Sequence, residues 1–316
     1  MIRSAVRVFK RNIEHIAKLP ELFYGGHLLR KFRKDQETTY IVCPFGIGDT
    51  LFVAMLIRAF KDHHNKKKVC LIVKENHRNL PDFFDSVDTK IVSNKAVKAL
   101  ALYARELNVF TSDNFRYGHF IQFGWPEPGQ LLGVKNINLI DIYKACVLNI
   151  PNSARFEYPN VCVSQQEFIT YKSEYGKYDK VVLLMPYAVT IQRLDLEFWE
   201  KLAQYYLENG CTVFTNVKDD SEQPIQGTLG VNLPLKELFV VSRNFKWKCI
   251  SLRSGICDLL AFSDIELITI YENEISRAAW NMENLQLPNR CMKDFVLNGN
   301  VSIEENIEKL VNIECG

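Results

Sequence analysis

Residues 40–61 read YIVCPFGIGDTLFVAMLIRAFK, and the way this stretch turns sets the expected fold. Tyr40 to Phe45 is a short apolar run rich in β-formers and bounded by Pro44 and two glycines, the pattern of a buried parallel strand. From Asp49 onward the apolar residues Leu51, Phe52, Met55, Leu56, Ala59 and Phe60 fall on one helix face. The six residues Phe45 to Thr50 must therefore turn a strand into a helix. Gly46 and Gly48 let a ligand approach the main chain there, and Asp49 is a natural N-cap. A turn of this kind sits at the carboxyl end of a strand, where open α/β sheets bind ligands.

Three readings of the turn stay open. A dinucleotide fingerprint G-x-G-x-x-G would use Gly46 and Gly48, with Glu75 reaching a ribose, but Leu51 stands at the third glycine and Asp49 sets a negative charge where a pyrophosphate would land. In the second reading Asp49 is the working group, aimed into a cleft. In the third it caps a helix and nothing more.

At 316 residues the chain has room for two domains, and 47% hydrophobic with 24% charged residues suits buried cores. No apolar run approaches the roughly 18 residues of a membrane span, and Arg3, Arg7, Lys10 and Arg11 interrupt any secretory-signal core. Nine scattered cysteines without a C-x-x-C pair suggest a reducing compartment. The net charge of +2 conceals an asymmetry: residues 1–34 carry nine Lys/Arg against Glu14 and Glu21. The rest of the chain is net acidic. Ile2, Ala5, Val6, Phe9, Ile13, Ile16 and Ala17 give the basic segment an apolar helical stripe, expected to end at Gly25-Gly26. Such a helix suits either a membrane surface or docking on the N-terminal domain with its charges in water. Nucleic acid is not an expected partner, because no aromatic-interleaved basic patch occurs.

Further strands are expected at Val69–Lys74, Lys90–Val92, Val109–Thr111 and His119–Phe123, with helices at Arg78–Phe84, Lys95–Leu107 and Asn138–Asn149. The turn-rich stretch Phe123–Gly129, with Trp125, suits a loop over a cleft. Near Pro151–Pro159 the pattern restarts. Asp179–Met185 is the counterpart of the first strand, followed by a helix at Leu194–Glu208 and a strand at Cys211–Val217. A helix at Pro234–Ser242, a strand at Lys248–Ile250, a helix at Ser254–Phe262, a strand at Glu266–Tyr271 and a helix at Ser302–Asn312 complete the order. The expected architecture is α/β: a basic segment 1–38, a Rossmann-like domain 39–155 and a second one 156–316. Their parallel sheets would face a cleft, with the last helix a candidate to pack back on the first domain.

Gly48-Asp49-Thr50-Leu51 after a first strand resembles the Gly-Asp-x-Leu turn of the heptosyltransferase-like family 9 glycosyltransferases. Met185-Pro186-Tyr187-Ala188, with Arg193 and the helix holding Phe198-Trp199, is similar to that family's strand–Pro-Gly-Ala–Lys–helix segment; Tyr187 replaces the glycine and Arg193 stands at the lysine. Leu233 to Leu238 resembles the short helix before the family signature. Ser254-Gly255 resembles its Asp-Ser-Gly-x-x-His-Leu donor motif, with Arg253 in place of the Asp and Asp258 in place of the His. The resemblance implies a GT-B fold and a nucleotide-sugar donor, with Asp49 as the base of an inverting transfer. It also implies a glycan or glycolipid acceptor at the first domain, near Gly46, Gly48, Thr50 and Trp125.

The residues themselves suit that chemistry. A carboxylate at a helix N-terminus is held ionised, as a general base must be. Arg253, Ser254 and Gly255 follow a strand and open a helix, an anion site with a guanidinium added, although a plain Ser cap beside a surface Arg is the alternative. Arg193 is a candidate second phosphate contact, and Asp258 a candidate for a ribose or sugar hydroxyl. The absence of a D-x-D triplet points to metal-independent transfer with no cofactor. His63-His64 and His119 read as structural. The expectation is a cytoplasmic glycosyltransferase, peripheral on the inner membrane face. A non-catalytic partner subunit and a nicotinamide-dependent oxidoreductase are the alternatives.

Overall fold

The computed structural model describes residues 2–80, 83–112, 114–120, 138–188, 193–218, 221–289 and 291–313. The chain divides into two compact units, Met1–Trp125 with Asp141–Glu157, and Pro126–Ile140 with Tyr158–Gly316.

The first unit is built on strands β1 (Thr38–Val42), β2 (Lys68–Lys74), β3 (Asp88–Val92), β4 (Thr111–Ser112) and β5 (Phe115–Tyr117), in the order β3-β2-β1-β5-β4. All five residues of β1 are buried, and the strand pairs in parallel with β2 (Tyr40 opposite Cys70) and with β5 (Tyr40 opposite Phe115). Burial on both faces is what a central parallel strand demands, and it explains the unbroken apolar run. Helices α1 (Ile2–Arg33), α2 (Ile47–Met55), α3 (Ile57–His64) and α4 (Asn94–Glu106) surround the sheet. Leu29 and Phe32 of α1 join Val97 and Leu100 of α4 and the strand residues Val42, Ile72 and Phe115 in one core.

Gly25-Gly26 does not end the first helix. α1 runs unbroken through both glycines and through Pro20. The two glycines are buried where α1 meets α4: a Cβ on Gly25 would lie 2.2 Å from the Ala99 carbonyl oxygen, and one on Gly26 would lie 2.6 Å from the Tyr103 ring. Contact between helices, rather than a break, is their role.

Three other local expectations are corrected. A 3₁₀ turn, Glu75–His77, follows β2; of the helix expected over Arg78–Phe84, residues 78–80 form a turn and bend, Phe83 is 3₁₀, and residues 81 and 82 lie outside the described residues. Of the strand expected at His119–Phe123, His119 and Phe120 lie outside the sheet and the rest lies outside the described residues; pairing with β1 comes earlier, at β5, and ends with the Gly118 N–H donating to the Val42 carbonyl at 2.8 Å. The helix expected over Asn138–Asn149 is a short α-helix, α5 (Leu139–Ile142), that widens into a π-helix over Tyr143–Leu148.

The second unit holds β6 (Val181–Met185), β7 (Thr212–Asn216), β8 (Leu229–Val231), β9 (Lys248–Leu252), β10 (Glu266–Tyr271) and β11 (Met292–Val296). Their order is β11-β10-β9-β6-β7-β8, with every neighbouring pair parallel. Counted from β6, this is the doubly wound 3-2-1-4-5-6 sheet. Its helices are α6 (Gln165–Tyr175), α7 (Leu196–Glu208), α8 (Leu235–Phe245), α9 (Gly255–Leu260), α10 (Glu274–Trp280) and α11 (Ile303–Val311). The last of them, α11, packs against α7 of its own unit, with Ile307 and Leu310 in the core beside Leu202 and Tyr206.

Candidate functional site

The carboxyl ends of β1, β2 and β5 bring one set of side chains together in the first unit. Gly46 is the N-cap of α2, so Asp49 is the third helical residue and not the cap. From that position its carboxylate reaches back: Oδ2 accepts the Gly46 N–H at 2.9 Å. A Cβ on residue 46 would sit 3.2 Å from that same oxygen, so glycine leaves the carboxylate its place. Oδ1 accepts a hydrogen bond from the Tyr143 hydroxyl at 2.5 Å, and His119 Nε2 lies 3.6 Å from it. The Asp49 side chain keeps 24% of its surface exposed. It is a fixed carboxylate within reach of solvent, at the positive end of a helix.

Two histidines and a lysine surround it. His119, after β5, lies between the rings of Phe45 and Phe120, with centroids 4.1 and 4.2 Å away. Burial lowers its pKa, and the nearby Asp49 carboxylate works in the opposite direction. His77 is buried behind α2, its Nδ1 3.2 Å from the Thr50 hydroxyl, which in turn lies 3.1 Å from the Gly46 carbonyl. Burial, and then Lys74, push His77 down to about 4, so it is neutral at pH 7. Lys74, at the end of β2, donates to the Phe45 carbonyl at 2.8 Å, and its half-burial lowers its pKa. Burial also raises the Cys43 thiol, leaving it an inert apolar residue.

In the second unit, Ser254 is the N-cap of α9 and Gly255 its first residue, both half-buried. Arg253 does not present its guanidinium outward. It is buried and bound bidentately by Asp258, at 2.8 and 3.1 Å, and it donates to the carbonyls of Ser254 at 2.6 Å and Trp280 at 2.9 Å. Burial disfavours its charge, but Asp258, together with Tyr271 and Cys257, more than offsets that and raises its pKa. The expectation of an open Arg253 and an open Asp258 is corrected: each neutralises the other inside the fold, because neither charge could be buried alone. The network continues through the Trp280 carbonyl to the Tyr271 hydroxyl at 2.9 Å, which also lies 3.0 Å from Asp294 Oδ1. Burial raises Asp294 to about 6. Arg193 is exposed and lies over the Tyr187 ring, 5.2 Å from its centroid. Trp125 lies outside the described residues.

Three solved structures share this architecture. Escherichia coli ADP-heptose lps heptosyltransferase II matches with a TM-score of 0.57 at 13% identity, over 87% of this chain and 97% of that one. A glycosyl transferase family 9 protein from Veillonella parvula matches with a TM-score of 0.55 at 12% identity, over 89% and 93%. E. coli heptosyltransferase WaaC, solved with ADP, matches with a TM-score of 0.56 at 13% identity, over 87% and 98%. The chain has the GT-B fold of the family 9 glycosyltransferases. No protein-family model and no curated protein matches its sequence.

On this GT-B scaffold, Gly46, Gly48, Asp49 and Thr50 form one turn, and Arg253, Ser254, Gly255 and Asp258 another. Sequence reasoning missed Tyr143, Lys74 and His77, and it set His119 aside as structural. His119 carried a signal, since it follows a strand of the same sheet. Tyr143 carried none: it lies 94 positions from Asp49, inside an ordinary-looking amphipathic stretch.

Proposed function

We propose that the chain is a glycosyltransferase that moves a sugar from a nucleotide-sugar to a hydroxyl of a glycan or glycolipid, with Asp49 as general base. The observation that carries this reading is the Asp49 carboxylate itself. It is fixed by the Gly46 N–H and the Tyr143 hydroxyl at the mouth of a parallel sheet, in a fold whose solved relatives are heptosyltransferases. In the step, Asp49 takes the acceptor hydroxyl's proton while that oxygen bonds to the anomeric carbon. The bond from that carbon to the diphosphate breaks, its electron pair leaves with the nucleoside diphosphate, and the single displacement inverts the centre. The half-buried Ser254-Gly255 turn and Arg193 would meet the diphosphate, with Arg253 and Asp258 shaping the turn from within. No metal enters this step; cationic side chains and helix-terminal N–H groups stabilise the leaving group.

Residues 1–34 would rest on an anionic membrane surface at its cytoplasmic face. On α1, Leu19, Phe23 and Tyr24 are exposed, followed on the exposed side by His27, Arg30 and Lys31. This is the aromatic-plus-basic make-up of an interfacial helix. Among the described residues, no helix is long and apolar enough to cross a membrane.

A thermal-shift panel of UDP, GDP, ADP, dTDP, CMP and NAD(H) tests the donor assignment. A nucleotide at about a hundred times its dissociation constant stabilises by roughly 2.7 kcal/mol. One nucleoside diphosphate should act, and its sugar conjugate should be turned over by wild type but not by Asp49→Asn. A shift with NAD(H) alone would move the assignment to an oxidoreductase. No shift from folded protein would favour a partner subunit without turnover, the reading that the internally neutralised Arg253 supports.

A further inference from the structure

The π-helical turn at Tyr143–Leu148 is capped from outside. Its last carbonyls are met by side chains of other elements: Val147 by Arg116 of β5 at 3.3 Å, and Leu148 by His64 at the end of α3 at 2.9 Å. The Ile150 N–H returns to the Lys144 carbonyl at 2.9 Å, and Asn149 closes the turn in the left-handed region at φ 51°. Wide turns of this kind are rare and gather at functional sites. Here the turn begins at the residue whose hydroxyl meets Asp49.

The Tyr143 ring is fully buried and touches Phe52 and Phe120, with centroids 5.5 and 5.4 Å away. It is a rigid rod whose polar end is delivered to Asp49 Oδ1 at 2.5 Å. Packing of the ring would be served equally by phenylalanine. The hydroxyl serves the carboxylate. With Oδ2 tied to the Gly46 N–H and Oδ1 to Tyr143, the carboxylate cannot swing about its Cβ–Cγ bond, and its remaining lone pairs keep one direction.

We infer that Tyr143 is the positioning residue of the reaction: the π turn sets its hydroxyl so that the base is held in attack geometry. This rests on the assignment of Asp49 as the base. A displacement of about 1 Å at a reacting group can lower a rate by roughly a hundredfold, so losing one of two tethers should lower kcat by about 10- to 100-fold.

The test compares wild type, Tyr143→Phe and Asp49→Asn. Turnover is read as nucleoside diphosphate released from UDP-, GDP-, ADP- and dTDP-sugars, with water as acceptor. Tyr143→Phe should lose kcat by the stated factor while KM for the donor and thermal stability stay near wild type. In protein with 13C-carboxyl-labelled aspartate, the resonance absent from Asp49→Asn should move in Tyr143→Phe. A Tyr143→Phe rate within twofold of wild type, beside an inactive Asp49→Asn, would overturn this inference and leave the base assignment standing. So would an unmoved Asp49 resonance, or parallel losses of kcat, KM and stability, which mark a structural role. An active Asp49→Asn, or a wild type that turns over none of the donors, would overturn the base assignment and this inference with it.

Discussion

Replacing Asp258 with alanine leaves the Arg253 guanidinium inside the second unit with only part of its hydrogen bonding. The two side chains are 2% and 7% exposed, and the substitution removes bonds of 2.8 and 3.1 Å while keeping those to the Ser254 and Trp280 carbonyls. Breaking a buried pair from one side costs roughly 3–5 kcal/mol, most of it from the charge left behind. For a unit of this size that is a fall in melting temperature of roughly 6–20 °C. The exposed pair Lys309–Glu305 is the control. Glu305→Gln there should cost no more than about 0.5 kcal/mol. Urea unfolding followed by tryptophan fluorescence reports on the right half of the molecule, since three of the four tryptophans (Trp199, Trp247 and Trp280) belong to the second unit. The double variant Arg253→Met/Asp258→Leu should return to wild-type stability or exceed it by about 1–4 kcal/mol, because desolvation of both charges is then avoided. If Asp258→Ala costs less than about 1 kcal/mol, like a surface pair, the guanidinium reaches water or an anion. The buried-pair reasoning would then fail, and Arg253 would return as a direct phosphate contact.

Three further outcomes are expected. His77 takes up a proton near pH 6.5 when unfolded but near 4 when folded, so the stability linked to it is complete above pH 6.5 and is lost as pH falls from there toward 4. The loss should reach about 3 kcal/mol, and an NMR titration that finds the ring protonating near pH 6.5 would refute the assignment. Gly25→Val should drive a side chain into the Ala99 carbonyl and destabilise the α1–α4 contact by about 3 kcal/mol or more. Faster hydrogen exchange in both helices would show it, with Gly299→Ala, where a Cβ meets nothing within 4 Å, as the silent control. Phe23→Asp, on the exposed face of α1, should reduce co-sedimentation with vesicles containing phosphatidylserine without changing nucleotide binding; unchanged sedimentation would count against docking through this helix.

Local pattern determined a good deal of this protein. The apolar runs at Tyr40–Phe45 and Asp179–Met185, each followed by a helix of 3.6-residue period, announce two α/β units, because a strand buried on both faces has no other composition open to it. The glycine turn likewise marks Asp49, since a strand-to-helix turn at a sheet's carboxyl end needs small residues and a first-turn acid. Short strands such as β8 and β11 escaped because their pairing is set by neighbours and not by their own three to five residues. Tertiary structure decided the rest, for one physical reason: partners distant in sequence compete with local preference and win when burial leaves them no water. Gly25-Gly26 would break an isolated helix, yet against Ala99 and Tyr103 they are what lets α1 approach α4. Arg253 and Asp258 look like exposed site residues until the fold encloses both, and then only their pairing is tolerable. Tyr143 reaches Asp49 from 94 positions away, out of a π turn whose last carbonyls are capped by side chains of β5 and α3, a pairing that periodicity in a single stretch cannot encode.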